Sequence, residues 1–418
     1  MKKAKIVHLT SAHPRYDIRI FFKMCCSLAE AGYDVNLVVA DGKGYEEKKS
    51  VKIYDVGKPL KRLERMFKAS LHVYKRALQL NGDIYHLHDP ELLPYAYLLK
   101  LKGKKVIFDS HEDTPRQILT KNYLLFCHCE PMKLPKSENF GGAAERSEAE
   151  GAAMHSIAES WNLRKNRALF AEFINQNLIK CISFIYEKAE KFICSRLNCA
   201  VTATPFIRDI FSKYNQNSID INNFPILGEL ESKNEIVKKN QVCYVGGIKP
   251  IRGIYNLVEA MNYVKNDVKL CLAGDFVDGV NLEKLSRFGN LEKIEFKGFL
   301  NRTQVQKLLN ESIAGVVTFL PVSNHINAQP NKMFEYMSAG LPVIASDFPL
   351  WKEIIEQNKC GICVNPKDSK KIAESIDYLF EHQNEAAKMG KNGRNAVYEK
   401  YNWANEEKKL LKLYDSLL

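Results

Sequence analysis

Three segments near the N-terminus decide the fold class: Ile6-Val7-His8-Leu9-Thr10-Ser11, then Ile18-Arg19-Ile20-Phe21-Phe22-Lys23-Met24-Cys25-Cys26-Ser27-Leu28-Ala29-Glu30-Ala31-Gly32, then Val35-Asn36-Leu37-Val38-Val39. The first is a short apolar run ending in polar residues. In the second, Ile18, Phe21, Phe22, Cys25, Leu28 and Ala29 recur at three and four residues, the period of an amphipathic helix. Gly32 stands where a helix C-terminus wants a left-handed residue. The third is a buried strand. Strand, helix and strand with short connections make a parallel unit, expected to cross over right-handed.

The rhythm continues outward. Asp83 to His88 and Lys105 to Asp109 read as strands, and Cys199 to Ala203 as another. Past a boundary near Asn222-Asn223-Phe224-Pro225, a second series begins. Its strands are Val242–Val245, Val268–Ala273, Ile294–Phe296, Ala314–Phe319 and Val343–Ala345. The chain ends in a charged helix from Asn402 to Leu418. The expected division is 1–222, 223–401 and 402–418. Residues of about 123–178 break the pattern. The Ala/Glu/Gly-rich run after Phe140 reads as a surface-loop insertion, expected to be weakly ordered and not catalytic.

At 418 residues, 45% of them hydrophobic, the chain suits two or three globular domains. It has no apolar run near the ~20 residues of a membrane span. Its eleven cysteines lack a disulfide framework. Cys127-His128-Cys129 and Cys360-Gly361-Ile362-Cys363 have no matching second pair, so the cysteines are expected to be small buried hydrophobes in a reducing cytosol. A net charge of +12 asks for an acidic partner, and no nucleic-acid motif is evident. Lys58, Lys61, Arg62, Arg65, Lys68, Lys75 and Arg76 surround Leu60, Leu63, Met66, Phe67, Leu71 and Val73. At helical spacing, 58–76 reads either as a basic amphipathic segment on anionic lipid or as an ordinary solvated helix face.

Polar residues cluster just past the strands, on the sheet edge where open α/β folds bind ligands. In the second half, Gly246-Gly247 lets backbone N–H groups approach a ligand, and Arg252 is placed to pair with diphosphate. The stronger signal is Asn327-Ala328-Gln329-Pro330-Asn331-Lys332-Met333-Phe334-Glu335. A Pro-containing loop opens a helix whose first N–H groups are unpaired. Lys332 sits in the first turn, where the helix dipole disfavours a cation unless an anion is its partner. Glu335, one turn on, suits the two hydroxyls of a ribose.

These segments, with Val245 to Gly253, His13 to Ile20 and His86 to Glu91, resemble a bacterial branch of glycosyltransferase family 4. The resemblance covers nearly the whole chain except the insertion. It implies the GT-B architecture, two Rossmann-like parallel-sheet domains facing across a cleft, with the last segment, 402–418, crossing back onto the first domain. It also implies retaining transfer of a sugar from a nucleotide diphosphate sugar to a lipid-linked or saccharide acceptor, in cell-surface polysaccharide or glycolipid synthesis. Neither a cofactor nor a metal is expected, and no Asp-x-Asp motif is evident. Glu335 matches the ribose-binding second glutamate of the family signature. Asn327 replaces the first, which removes a charge beside the donor sugar. Gly247 stands where the family often has an arginine, and Arg252 matches the lysine. Lys332 is expected to supply the missing charge, with Arg252 and the helix amides near Asn331 stabilising the leaving diphosphate. His111 matches a histidine near the reacting centre. Arg15, Asp17, Arg19, His88 and Asp89 are the expected acceptor ligands. The expected location is the cytoplasm or the inner face of the plasma membrane. Two alternatives stand: a sugar-nucleotide epimerase of the same architecture, and a catalytically silent nucleotide-sugar or anionic-lipid binding protein.

Overall fold

The computed structural model describes residues 4–120, 176–232 and 236–418. The described residues up to Asp113 and from Lys191 on make one compact unit, which holds both sheets; those from Thr114 to Glu190 make another. The inserted segment expected at about 123–178, with Cys127 and Cys129, lies almost wholly outside the described residues.

The first sheet has eight strands: β1 Lys5–Leu9, β2 Asp34–Val39, β3 Glu46–Lys48, β4 Val51–Asp55, β5 Ile84–Leu87, β6 Lys105–Ser110, β7 Cys199–Thr202 and β8 Ser218–Asp220. Their order is β3-β4-β2-β1-β5-β6-β7-β8, and every pair is parallel except β3 with β4. The second sheet is six-stranded: β9 Gln241–Val245, β10 Lys269–Ala273, β11 Ile294–Gly298, β12 Ala314–Val317, β13 Val343–Ser346 and β14 Gly361–Val364, in the order β11-β10-β9-β12-β13-β14, all parallel. Strands covered on both faces must be apolar throughout, which is why β1, β5, β7, β12 and β13 read as runs of buried residues.

Four strands go beyond the sequence reading. β3, β4 and β8 are short and lie at or next to the edges of the first sheet, where hydrophobic patterning is weakest. β14 absorbs the cysteine pair: Cys360 is fully buried, Cys363 partly so, and burial pushes both thiols up to about 12. Both are therefore inert fillers at neutral pH.

Each sheet has its own core. Trp403, Leu410 and Tyr414 of the helix Trp403–Leu417 belong to the core of the first sheet. Trp403 Nε1 donates to Ser27 Oγ at 3.0 Å, and Tyr414 OH lies 2.7 Å from His86 Nδ1. Glu406 accepts from the Asn222 backbone N–H at 2.7 Å. No helix among the described residues is long and apolar enough to cross a membrane.

The chain reverses its direction of travel across each sheet once near the middle, between β1 and β5 and between β9 and β12. At such switch points the loops leaving neighbouring strands diverge and open a crevice at the carboxyl edge. The four loops concerned follow Leu9, Leu87, Val245 and Val317.

Candidate active site

In the second half the site is built on two glycines and two cations. Gly246 has φ +126°, a backbone that side chains rarely adopt. A Cβ there would lie 2.8 Å from Lys332 Nζ and 3.1 Å from Arg252 Nη1, so the two cations converge over the glycine. Gly253 follows at φ +71°, with Thr318 O only 2.0 Å from where a Cβ would be. It lets the turn ending at Arg252 pass against the strand β12 loop. Arg252 donates from Nη1 to Gly247 O at 3.2 Å.

Lys332 is the unusual residue. It is 8% exposed, and Nζ has no hydrogen-bond partner. The ammonium sits 3.8 Å above the Tyr244 ring and 5.0 Å from the Phe319 ring centroid. Burial, and then the neighbouring Arg252, hold its pKa well below the usual lysine range. A buried cation supported only by aromatic faces is costly unless an anion completes it. Three more buried oxygens without partners among the described residues lie in the connection from β12 to the helix that carries Lys332: Thr318 Oγ1, Asn324 Oδ1 and Gln329 Oε1. Sequence reasoning missed these three; their common signal is a polar run in an otherwise apolar strand-to-helix connection.

Helix Asn331–Ser338 is preceded by Pro330, which caps nothing with its side chain, so its first N–H groups stay open to an anion. Asn331 is exposed at its start. Asn327 closes the short helix Ser323–Ile326. Glu335 accepts on Oε1 from Arg302 Nη1 at 2.6 Å.

In the first half, Arg15 and Arg19, expected as acceptor ligands, are both paired internally. Arg15 is 3% exposed, its guanidinium spent on both oxygens of Asp41, on Glu46 and on Gly44 O at 2.8–3.0 Å. Arg19 is clamped to both oxygens of Asp109 at 2.9 and 2.7 Å and to Ile221 O at 2.6 Å. A guanidinium taken from water must have its donors satisfied internally, and here carboxylates do so. His88 and Asp89 are equally internal. His88 lies between His8 Nδ1 at 2.9 Å and Asp109 Oδ2 at 3.2 Å. Asp89 accepts from Thr10 Oγ1 and from the N–H groups of Ser11 and Ala12, shaping the loop after β1. Asp17 caps the following helix through the N–H groups of Arg19 and Ile20.

His111, Asp17 and a residue that sequence reasoning did not single out, His13, remain partly accessible. His111 Nε2 lies 3.1 Å from Asp109 Oδ2, so Nε2 carries the donated proton and Nδ1 is left for a ligand. Burial pushes Asp109 up, but Arg19 and His111 outweigh it and hold the carboxyl well below its usual range. The His13 ring is 5.1 Å from that of His111 and bridges Asp17 and Asp89 at 3.2 and 3.4 Å. Burial alone would lower the His13 pKa; the two carboxylates overcome this and raise it.

Among the described residues, two donor groups come close enough to hold a metal ion: His8, His86 and His88, and His88, Asp109 and His111. In the second group Asp109 already carries the Arg19 guanidinium on both oxygens, which opposes a further cation. In the first, His8 and His88 are bonded to each other, and His86 Nδ1 to Tyr414. Both groups work as internal hydrogen-bond networks.

Residues 228–396, which hold the glycine cradle, Arg252, Lys332 and Glu335, match the family described as glycosyl transferases group 1. A curated relative within reach is an uncharacterized glycosyltransferase of Methanocaldococcus jannaschii, 30% identical over 179 residues, 42% of this chain and 45% of that protein. The poly(ribitol-phosphate) alpha-N-acetylglucosaminyltransferase of Staphylococcus aureus is 27% identical over 241 residues, 55% of this chain and 47% of its own length. The chain spans about half the length of these two relatives. Among solved structures, sucrose-phosphate synthase from Thermosynechococcus elongatus has TM-score 0.68 at 16% identity over 99% of each chain. The Anabaena protein HepE in complex with UDP-glucose has TM-score 0.66 at 13% identity, over 99% of this chain and 100% of that one. At these identities the likeness is one of fold: two Rossmann-like parallel-sheet domains of the GT-B kind.

Proposed function

We propose that the protein transfers a sugar from a nucleoside diphosphate sugar to an acceptor, with retention at the anomeric carbon. The observation that carries this reading is the buried, unpartnered Lys332 ammonium beside Arg252 over Gly246. In the reaction the bond from the anomeric carbon to the diphosphate oxygen breaks. A bond to the acceptor oxygen forms on the same face, and the acceptor proton passes to the leaving phosphate. Lys332, Arg252 and the open N–H groups at Asn331 stabilise the charge that develops on the diphosphate. Glu335 receives the ribose hydroxyls, and His111 Nδ1 faces the donor sugar. Asn327 meets the sugar as a neutral hydrogen-bonding group. The binding of UDP-glucose by HepE, which shares this fold, makes a uridine donor the first to try. The working division is 1–222 for the acceptor, 223–401 for the donor, and 402–418 returning to the first domain.

The acceptor reading changes with the burial of Arg15 and Arg19. His13, Asp17 and His111 are the accessible polar groups past β1 and β6, and they suit a hydroxyl-bearing acceptor. A lipid-linked acceptor is supported from elsewhere, by the helical stretch 62–80. In it and just before it, Leu60, Leu63 and Phe67 are 89%, 68% and 68% exposed, with Lys61 and Lys68 beside them. An exposed apolar ridge flanked by lysines suits the surface of an anionic membrane at its cytoplasmic face.

The test is a mass-spectrometric panel. Purified protein is incubated with UDP- and GDP-sugars, with and without a bacterial lipid extract, and with EDTA in a parallel arm. Expected is release of one nucleotide that depends on the extract, survives EDTA and is lost in Lys332→Ala and Glu335→Ala. Binding without release in every arm would support the silent binding protein. Conversion of the sugar nucleotide without an acceptor would support the epimerase.

A further inference from the structure

Arg302 is the first residue of helix Arg302–Glu311, whose start is fixed by a capping box between Asn301 and Gln304. Its guanidinium is a bridge. Nε and Nη2 take the two oxygens of Glu229 at 2.7 and 2.8 Å, a two-point pairing that sets the plane of the fork. The remaining edge, Nη1, meets Glu335 Oε1 at 2.6 Å. Glu229 lies on the segment that joins the two sheets, and Glu335 on the helix that carries Lys332. Arg302 thus ties three separate elements together. No second partner of Glu335 is found among the described residues, so its other oxygen stays free.

The surroundings fit a device for holding a carboxylate. Glu229, Arg302 and Glu335 carry one net negative charge. Lys23, buried and bonded to Asn223 O and Oδ1, feels the favourable field of Glu335 and the opposing field of Arg302. Burial first, with these neighbours, lowers Lys23 to about 7. Arg302 is therefore a fully charged cation in direct contact with Glu335, whereas Lys23 is a weakened one acting at longer range.

We propose that Arg302, anchored by Glu229, is the positioning residue for Glu335: it fixes the rotamer of that carboxylate and leaves one oxygen free for a vicinal diol of the nucleotide ribose. This rests on the reading of Glu335 as the ribose acceptor. It assigns a further specificity role to two residues outside the family signature, Arg302 and Glu229. A lysine cannot reproduce it, because an ammonium has no planar fork with which to hold both carboxylates at once.

The experiment is calorimetric binding of UDP and GDP, taking the nucleotide that binds more tightly, beside its analogue lacking both ribose hydroxyls. Wild type should prefer the natural nucleotide by about tenfold or more, as hydrogen bonds to a charged group allow. Arg302→Gln and Glu229→Gln should lose most of that preference by weakening the natural nucleotide alone. Affinity for the analogue should not change, and Arg302→Lys should not rescue. Circular dichroism of each variant checks the fold. If Arg302→Gln keeps the full preference while Glu335→Ala loses it, Arg302 is a structural ion pair and the proposal falls. If Glu335→Ala itself keeps the preference, or wild type binds neither nucleotide, the ribose reading of Glu335 falls first.

Discussion

Lys332 is a buried amine that the described residues leave without an acceptor. Its ammonium has aromatic faces and a guanidinium for neighbours but no acceptor. Replacing an unpartnered buried amine, charged or neutral, by an apolar chain of similar length removes a desolvation cost. Lys332→Met should therefore stabilise the unliganded fold, by about 1–3 kcal/mol, read as a shift of the urea midpoint. The same change should weaken nucleoside diphosphate binding. Because burial and Arg252 depress the lysine pKa, a bound diphosphate should restore it and draw a proton from solution. Calorimetry in buffers of different ionisation enthalpy reads that uptake, and it should vanish in the variant. Binding without proton uptake in wild type would mean the ammonium is not facing phosphate. Lys332 was legible in the sequence because a cation in a first helical turn contradicts the dipole. The internal partners of Arg15 and Arg19 were not legible, for an equally physical reason. A sequence shows that an arginine is present but not which carboxylates, 26 and 90 residues away, will neutralise it.

At the scale of elements, the helix Trp403–Leu417 is bound to the first sheet by side chains rather than by backbone pairing. Tyr414 OH meets His86 Nδ1 at 2.7 Å and lies 3.4 Å from His8 Nε2. His86 Nε2 is already buried without a partner. Tyr414→Phe leaves Nδ1 in the same state, so a loss of about 1–3 kcal/mol is expected from the urea midpoint. Nucleotide affinity should hold, since the donor side is built from β9, β12 and the helix after it. A variant as stable as wild type would show that the contact to His86 contributes nothing net. The return of a terminal helix was expected from resemblance alone. Neither the tyrosine nor its histidine partners could be chosen without the packed structure.

For the molecule as a whole, the three stacked histidines make acid the vulnerable direction. His8 and His86 are wholly buried, and burial, then His88, holds both well below 6.5. The unfolded chain, with ordinary histidines, binds more protons below that value than the native one does. Stability from their burial is therefore present above about pH 6.5 and lost progressively as pH falls below it. Asp109, held well below 3.8, titrates far lower and cannot imitate this. Unfolding midpoints should fall between about pH 7.5 and 5.5, and a flat profile there would contradict the assignment.

By itself the sequence determined the alternation of strand and helix, and it singled out Arg252, Lys332 and Glu335. These follow from local rules: apolar periodicity, turn residues, and a charge placed against a helix dipole. Only the tertiary structure decided which polar groups stay open. It buried Arg15, Arg19, His88 and Asp89 each against partners of its own, left Lys332 without one among the described residues, and brought Arg302 and Glu229 to Glu335. The reason is that hydrogen bonds and ion pairs form between residues up to hundreds of positions apart, and low dielectric makes every such pairing decisive. A polar residue's role is set by whether the fold has already supplied its partner.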